Sequence, residues 1–305
     1  MSVALRKIEC EPLRALPQDA PRSLHVTLAY NPEAGNFSAS ELTQLRDVLE
    51  QAGHIVTVQN SLEFRFPAHP ARIDLACIVG GDGTARTVIN RSRADVGDTV
   101  YCVYPAGTVN LVAREAGYRA RPASLVRRLN SGADPKQHFL GEVNGKAFLS
   151  CASVGIDSAV VNAVNPAIKR RFGRLAYAVA LLEQLWRWPR PRITVTVDGQ
   201  SHAAQAVYIC KSRYYAGPWV LDDRANLCAD TFQVLLLDRA GRRDMVRLFL
   251  SAVISRRIAN PRWRRLTART VEISAPEGLP IQADGDIVAM TPASVRIAPE
   301  PLSFL

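Results

Sequence analysis

A glycine-rich loop directly after a buried strand is the feature that most constrains this chain. The apolar run Leu75–Val79 ends in Gly80-Gly81-Asp82-Gly83-Thr84. Glycine has no Cβ and tolerates positive φ, so successive backbone N–H groups can turn inward around an anion. A helix that begins near Thr84 adds its positive N-terminal end to the same place. The stretch therefore predicts a phosphate-binding turn between a strand and a helix.

Two commoner glycine motifs do not fit this loop. A Walker loop ends in Gly-Lys-Ser/Thr, which the chain lacks, and the dinucleotide fingerprint needs a third glycine where Arg86 stands. A plain tight turn remains an alternative, although it leaves the length of the glycine string unexplained. The carboxylate of Asp82 would repel bare phosphate, so it implies a bridging Mg²⁺ or a hydrogen-bonding role.

Length and composition describe a globular protein without a membrane span. The chain has 305 residues, 48% of them hydrophobic, and no apolar run reaches 18 residues. The first 23 residues lack the apolar core of a signal peptide, so we expect a cytoplasmic protein. The net charge of +10 favours anionic partners, either a membrane or a nucleic acid.

The cysteines and histidines do not indicate a metal site. The six cysteines form no CxxC pair, and the five histidines have no zinc-ligand spacing. We expect all six cysteines to be small buried side chains in a reducing compartment.

Strands alternate with helices in the first half of the chain, which predicts an open parallel α/β sheet. The predicted strands include Leu24–Tyr30, Leu75–Val79 and Thr99–Tyr104. In such a sheet the loops at the carboxyl ends of the strands lie together. We therefore expect Asn31, the glycine loop and Thr108 to converge on one edge.

The pattern changes near Pro135. Asn144-Gly145 and Asp198-Gly199 are typical of type I′ turns between antiparallel strands. Helices are few beyond this point, and we predict them at Arg174–Arg187 and at roughly Arg242–Ile254. The chain is accordingly divided into an α/β domain, residues 24–135, and a mostly antiparallel β-domain, residues 136–305.

Four motifs in this order resemble the diacylglycerol kinase catalytic domain family, in particular the bacterial soluble lipid kinases related to sphingosine and ceramide kinases. The motifs are Asn31-Pro32-x-x-Gly35, Gly80-Gly81-Asp82-Gly83-Thr84, Pro105-x-Gly107-Thr108-x-Asn110 and Asp284-Gly285-Asp286. The resemblance extends from about Leu24 to the C-terminus. It implies a Rossmann-like domain of the NAD kinase and diacylglycerol kinase type, followed by a β-sandwich domain, with the active site in the cleft.

The resemblance also implies the reaction and the site. ATP is the usual donor in the family, Mg²⁺ the usual metal, and a lipid hydroxyl the usual acceptor. The implied catalytic residues are Asp82, Asp284 and Asp286, with Asp286 at the family's general base, and Asp82 is the implied metal contact. The implied nucleotide-binding residues are Asn31, Gly35, Gly80, Gly81, Asp82, Gly83, Thr84, Gly107, Thr108 and Asn110.

The chain departs from the family pattern in three places. Asp286 replaces the usual glutamate and is one methylene shorter. Ala85-Arg86-Thr87 replaces the usual Leu-Asn-Glu, which removes an acid and adds a base. Where relatives often bind a structural Mg²⁺, the segment Leu227–Val234 keeps only Asp230, with Asp222 and Asp223 close by. These departures fit either an altered specificity or a weakened catalysis.

Three segments combine arginine with aromatic residues, as expected for a protein that docks on anionic lipid headgroups. They are Lys169–Phe172, Arg187–Arg192 and Arg256–Arg265, the last with Trp263. A solvated basic surface accounts equally well for any one of them, and no nucleic-acid recognition motif accompanies them.

The sequence thus predicts a cytoplasmic, peripherally membrane-associated kinase that uses ATP and Mg²⁺ to phosphorylate a diacylglycerol-like or ceramide-like lipid. One alternative is a kinase of a soluble substrate, such as NAD kinase, which shares the glycine loop. Another is a catalytically weak nucleotide-binding protein associated with membranes.

Overall fold

The computed structural model describes residues 23–66, 74–132, 134–163, 180, 183, 191–243 and 263–305. The strands in chain order are β1 (His25–Tyr30), β2 (Ile55–Asn60), β3 (Leu75–Gly80), β4 (Val100–Pro105), β5 (Lys136–His138), β6 (Gly141–Val143), β7 (Lys146–Phe148), β8 (Cys151–Val154), β9 (Ile193–Val197), β10 (Gln200–Ala204), β11 (Ala206–Cys210), β12 (Tyr214–Tyr215), β13 (Trp219–Val220), β14 (Phe232–Leu237), β15 (Trp263–Ala268), β16 (Thr270–Ser274), β17 (Pro280–Ala283), β18 (Asp286–Met290), β19 (Ala293–Ile297) and β20 (Leu302–Phe304). The helices with described bounds are α1 (Ala39–Gln51), α2 (Asp82–Ser92), α3 (Leu111–Ala116), α4 (Pro122–Asn130) and α5 (Ile156–Ala163), with a 3₁₀ turn at Arg93–Asp95.

The first sheet has six strands in the order β2, β1, β3, β4, β20 and β5. All are parallel except β5, which pairs antiparallel with β20. The predicted parallel sheet is therefore confirmed. Its last two strands come from residues 136–138 and 302–304, so the chain returns to this sheet at its end.

The α/β layers follow from local sequence. Every residue of β3 is buried, as a central strand covered on both faces requires. The hydroxyl of Ser38 caps α1 by accepting the Glu41 N–H, and Leu45 and Leu49 of that helix are buried. Helix α3 begins at Leu111, because Asn110 before it adopts the left-handed conformation with φ 57°.

Two antiparallel six-stranded sheets form the second region. One has the order β10, β9, β16, β19, β6 and β7, and the other the order β15, β14, β11, β8, β17 and β18. Their inner faces share one hydrophobic core, which includes Val195, Val271, Val234 and Ile281. This is the predicted β-sandwich.

The predicted hairpin turns are present. Asn144-Gly145 joins β6 to β7 with φ values of 47° and 79°. Asp198-Gly199 joins β9 to β10 with φ values of 43° and 85°. Positive φ at both central positions is the mark of the type I′ turn.

Helix α2 ties the two regions together along one face. The Asn90 side chain exchanges two hydrogen bonds with the backbone of Ala147, at 2.8 and 2.9 Å. Just after the end of the helix, Arg93 donates to Glu142 at 2.5 Å and to the Gly145 carbonyl at 2.6 Å. The helix that follows the glycine loop is therefore fixed against the sandwich.

The expectation for the cysteines needs correction, and two predicted helices lie largely outside the described residues. Cys77, Cys102, Cys151 and Cys210 are buried free thiols as expected, but Cys228 is disulfide-bonded. It lies in a half-exposed turn rather than in a buried strand, so the expectation of six buried thiols is wrong. Most of the predicted helix Arg174–Arg187 and most of the predicted helix Arg242–Ile254 lie outside the described residues.

The membrane-facing expectation for Trp263 is also wrong. Trp263 is the first residue of β15. Its side chain is only 8% exposed and stacks on the Tyr208 ring. The segments Lys169–Phe172 and most of Arg187–Arg192 lie outside the described residues. Within the described ranges, no helix has the length and apolarity needed to span a bilayer.

Candidate active site

The carboxyl ends of the parallel strands bring the predicted loops together. Asn31, directly after β1, donates from Nδ2 to the Thr84 hydroxyl at 3.0 Å and from its backbone N–H to the Val79 carbonyl at 3.1 Å. Its Oδ1 accepts the Glu33 N–H at 2.9 Å, which shapes the turn. The convergence expected from the parallel sheet is confirmed for these loops.

Glycines are needed here because backbones approach each other closely. A Cβ on Gly107 would lie 3.0 Å from the Gly81 nitrogen and closer still to its Cα. A Cβ on Gly80 would lie 2.5 Å from the Thr84 Cβ, and one on Gly35 would overlap the Thr108 hydroxyl. The first motif, the glycine loop and the Gly107 loop therefore form one compact unit.

The Asn110 side chain closes the Gly107 loop on itself. Its Oδ1 accepts the Gly107 N–H at 2.9 Å, and its Nδ2 donates to the Gly107 carbonyl at 2.7 Å. Asn36 donates to the same carbonyl at 2.9 Å. Asn110 thus shapes the loop, and its predicted contact with a nucleotide stays a prediction.

Asp82 is the first residue of α2 and is buried. Its two carboxylate oxygens accept the backbone N–H groups of Leu111 at 2.8 Å and Val112 at 3.0 Å. Burial raises the pKa of the Asp82 carboxyl, and these amide donors oppose the shift. Asp82 therefore locks the start of α3 against the glycine loop, while its predicted catalytic and metal-binding roles stay predictions.

Asp284 occupies the turn between β17 and β18 and adopts φ 50°. Its carboxylate accepts the backbone N–H groups of Leu149, Ser150 and Cys151 at 2.7, 2.8 and 3.2 Å. Burial raises the pKa of Asp284 to about 7, with a further rise from Asp82 and opposing effects from the amides and Arg86. Asp284 is therefore enclosed by the backbone and close enough to Asp82 to feel its charge.

Asp286 lies on the open side of the same turn. Its Oδ2 accepts a hydrogen bond from Nη2 of Arg86 at 2.7 Å, and the Asp286 and Arg86 side chains are 45% and 16% exposed, respectively. A Cβ on Gly83 would lie only 3.1 Å from that oxygen, so Asp286 is seated against the glycine loop. The structure thus places the Asp284-Gly285-Asp286 motif against the glycine loop.

A buried polar group supports this turn from behind. Gln282 accepts the Gly285 N–H at 3.0 Å and donates to Asp157 at 3.0 Å. Asp157 of α5 also accepts hydrogen bonds from the hydroxyls of Ser153 and Tyr215. Burial raises the pKa of Asp157, and these three donors oppose the shift.

The start of α2 has the donor groups that nucleotide phosphates need. Its N-terminus lies at the glycine loop and presents backbone N–H groups of the kind that bind phosphate. Within the described part of the chain, no group of three or more acidic, cysteine or histidine side chains can hold a metal ion. Asp82 already accepts two amides.

Arginine side chains pair with two of the acidic residues at which the family resemblance suggested a structural metal. Asp222 is paired with Arg224 at 2.9 Å and Arg265 at 3.1 Å, and Asp230 is paired with Arg269. The fully buried ammonium of Lys211 donates to the carbonyls of Ala229 and Thr231.

The sequence analysis identified neither the pairing of Arg86 with Asp286 nor the backbone amides that bind Asp284. The pairing had a sequence signal, because Arg86 and Asp286 both depart from the family pattern, and the structure pairs them. The amides of Leu149 to Cys151 left no signal because any residue supplies a backbone N–H.

Two family models match the chain. Residues 25–139 match the diacylglycerol kinase catalytic domain. Residues 150–305 match the YegS C-terminal NAD kinase beta sandwich-like domain.

Individual proteins give the same result. A diacylglycerol kinase of Bacillus subtilis is 24% identical over 278 residues, which cover 87% of this chain and 90% of that protein. A Pseudomonas aeruginosa protein named "Probable lipid kinase YegS-like" is 30% identical over 222 residues, 68% of each chain. The crystal structure of a diacylglycerol kinase from Bacillus anthracis has the same fold, with a TM-score of 0.70 at 18% identity over 92% of this chain and 96% of that one. The chain therefore belongs to the diacylglycerol kinase family of lipid kinases.

Proposed function

We propose that this protein transfers the γ-phosphate of ATP, bound with Mg²⁺, to a hydroxyl of a diacylglycerol-like or ceramide-like lipid. Residues 24–135 would bind the nucleotide and residues 136–305 the lipid. The single observation that carries the proposal is the contact of Asp286 with the glycine loop, where its Oδ2 lies 3.1 Å from the position of a Cβ on Gly83. That contact joins a phosphate-binding loop to an open carboxylate.

The nucleotide side is supported by the loop geometry. The glycine loop leads directly into the N-terminus of α2, whose first-turn N–H groups suit phosphate oxygens, and Thr84 is held by Asn31 at 3.0 Å. We propose that Mg²⁺ enters as part of the nucleotide substrate. Magnesium usually binds proteins in this way, through substrate phosphates and few carboxylates.

On the acceptor side, Asp286 is the acid that we propose as general base. The oxygens of Asp284 accept three backbone amides, whereas the Asp286 side chain is 45% exposed to the cleft. Phosphoryl transfer needs one group to orient and deprotonate the attacking hydroxyl. Asp284 would then hold the turn rather than take the proton.

A lipid acceptor is supported by the surface next to Asp286 and by the relatives. Strand β18 begins at Asp286 and exposes Ile287 and Met290, whose side chains are 36% and 51% accessible. Exposed apolar side chains beside an active site are suited to an acyl or sphingoid chain. A peripheral position at an anionic membrane is proposed on the same grounds, with the net charge of +10.

The test is transfer of labelled γ-phosphate from ATP to a panel of lipids in mixed micelles, with NAD as a soluble acceptor in parallel. We expect one lipid class to be labelled by the wild type and not by Asp286→Asn. Labelling of NAD alone would replace the lipid acceptor by a soluble one. ATP binding with no transfer to any acceptor would favour a non-catalytic role.

A further inference from the structure

We propose that Arg86 is a further catalytic residue, whose guanidinium binds the transferred phosphoryl group while it orients Asp286. This inference rests on the proposed function. It concerns a residue at which the chain differs from the usual family sequence, Leu-Asn-Glu after the glycine loop.

The position of Arg86 is the first argument. It lies one turn into α2, and its Nη2 lies 2.7 Å from Oδ2 of Asp286. That same oxygen lies beside Gly83. The guanidinium therefore binds the proposed general base at the oxygen that lies against the glycine loop, next to where the transferred group must pass.

Unused hydrogen-bonding capacity is the second argument. The Nε of Arg86 is buried and has no hydrogen-bond partner among the described residues. Buried donors without a partner are rare, because each costs about 1–3 kcal/mol. A guanidinium has five N–H donors in a fixed fork, which suits two phosphate oxygens or one phosphate and one carboxylate.

Charge is the third argument. Asp82, Asp284 and Asp286 bring three carboxyl groups to the cleft, and a nucleotide adds more negative charge. A cation is needed where charge develops on the transferred phosphoryl group, and arginine serves this purpose in other phosphotransferases.

In the resulting step, the acceptor oxygen forms a bond to the γ-phosphorus as the bond from that phosphorus to the β–γ bridging oxygen breaks. ADP leaves with the electron pair of the broken bond, and the hydroxyl proton passes to Asp286, which later releases it to water. Arg86 keeps its proton throughout and contacts the phosphoryl oxygens.

A purely structural role for Arg86 is the competing hypothesis, and the chain contains a matched control. Arg93, just after the end of α2, also joins this helix to the sandwich, through Glu142 at 2.5 Å. Glu142 belongs to β6 rather than to the Asp284-Gly285-Asp286 turn. If arginine at position 86 only fastened the two regions, Arg86→Ala and Arg93→Ala would have similar effects.

The test compares the binding of ATP and ADP, each with Mg²⁺, by calorimetry, so no lipid acceptor is required. We expect Arg86→Ala to lose about tenfold or more in affinity for ATP and less than about twofold for ADP, as for loss of a charged hydrogen bond to the γ-phosphate. Arg86→Lys should recover part of the lost ATP affinity, and Arg93→Ala should change the affinities for ATP and ADP equally.

Transfer assays supply the second readout. We expect added guanidinium to raise the transfer rate of Arg86→Ala but not that of Arg93→Ala. An unchanged preference of Arg86→Ala for ATP over ADP would overturn the inference and leave the proposed kinase function standing. A wild type that binds neither nucleotide would overturn both.

Discussion

Asp82 belongs to the glycine loop and Asp286 lies against it, but they come from two regions of the molecule and different groups hold them. Asp82, in the α/β region, accepts two backbone amides at the start of α3 and is buried. Asp286, at the edge of the sandwich, is 45% exposed and is bound by the Arg86 side chain. Backbone donors are fixed by the fold, whereas a side chain can change its contacts. Under the proposed function, the contacts of Asp82 make the phosphate side preformed and those of Asp286 make the acceptor side adjustable.

The largest effect on activity should come from Asp82→Asn, which disrupts the hydrogen bonds between the Asp82 carboxylate and the start of α3. The amide keeps one acceptor and turns an N–H₂ toward either Leu111 or Val112, leaving buried donors facing each other. We expect turnover to be abolished and ATP binding to be weakened, measured by phosphate transfer and calorimetry. Asp95→Asn, at an exposed aspartate of the following 3₁₀ turn, is the control and should keep full activity. An active Asp82→Asn protein would show that this anchor is dispensable.

A smaller loss is expected from Gly107→Ala. The new Cβ would lie 3.0 Å from the Gly81 nitrogen, so the two loops must move apart. Misplacement by about 1 Å can cost roughly 100-fold in rate. We expect a loss of that order in transfer rate, together with weaker ATP binding. Gly278→Ala is the matched control, since its Cβ would meet no atom closer than 3.9 Å, and equal effects in both variants would contradict the account.

The smallest effect concerns the pH dependence of stability at Asp284. Its pKa is about 7 in the folded protein, above the usual value of 3.8. Between these values the folded state holds a proton that the unfolded state has lost, so the free energy of unfolding falls as pH rises. The slope is at most about 1.4 kcal/mol per pH unit and vanishes above about pH 7.

Asp284→Asn isolates this contribution. We expect the wild type to lose stability relative to the variant between about pH 5 and pH 7, measured by urea unfolding at each pH. A constant difference between the two proteins over this range would show that Asp284 is ionised in the fold at all of these pH values. The amides of Leu149, Ser150 and Cys151 would then outweigh burial.

Much of the fold was predictable because its signals are local. The glycine string after β3 and the Asn-Gly and Asp-Gly turns specify backbone shapes that few residues adopt. Helix α4 was not predicted, although Pro122 stands at its start, Leu125 is buried, and Val126 and Leu129 pack against the same core. The return of β20 to the first sheet was also missed, because pairing with β4 is a long-range contact with no local signature.

The proximity of the motifs was predictable, whereas their hydrogen bonds were not. The motifs named Asp82, Asp284 and Asp286, and the structure places these residues near one another at the glycine loop. Which carboxylate is enclosed by amides and which is open depends on backbone groups contributed by Leu149 and Leu111, far away in sequence. Composition cannot reveal such partners, since nearly every residue carries a backbone N–H.

The central claim is that the phosphate side is preformed and that Asp286 acts only in transfer. Its most direct test measures both the ATP dissociation constant and the transfer rate at saturating lipid for the wild type and Asp286→Asn. The account predicts an ATP affinity within about twofold and a rate lower by roughly 10²- to 10⁴-fold, the usual contribution of a general base. Full activity of Asp286→Asn at saturating substrate would contradict the account and remove Asp286 from the base role.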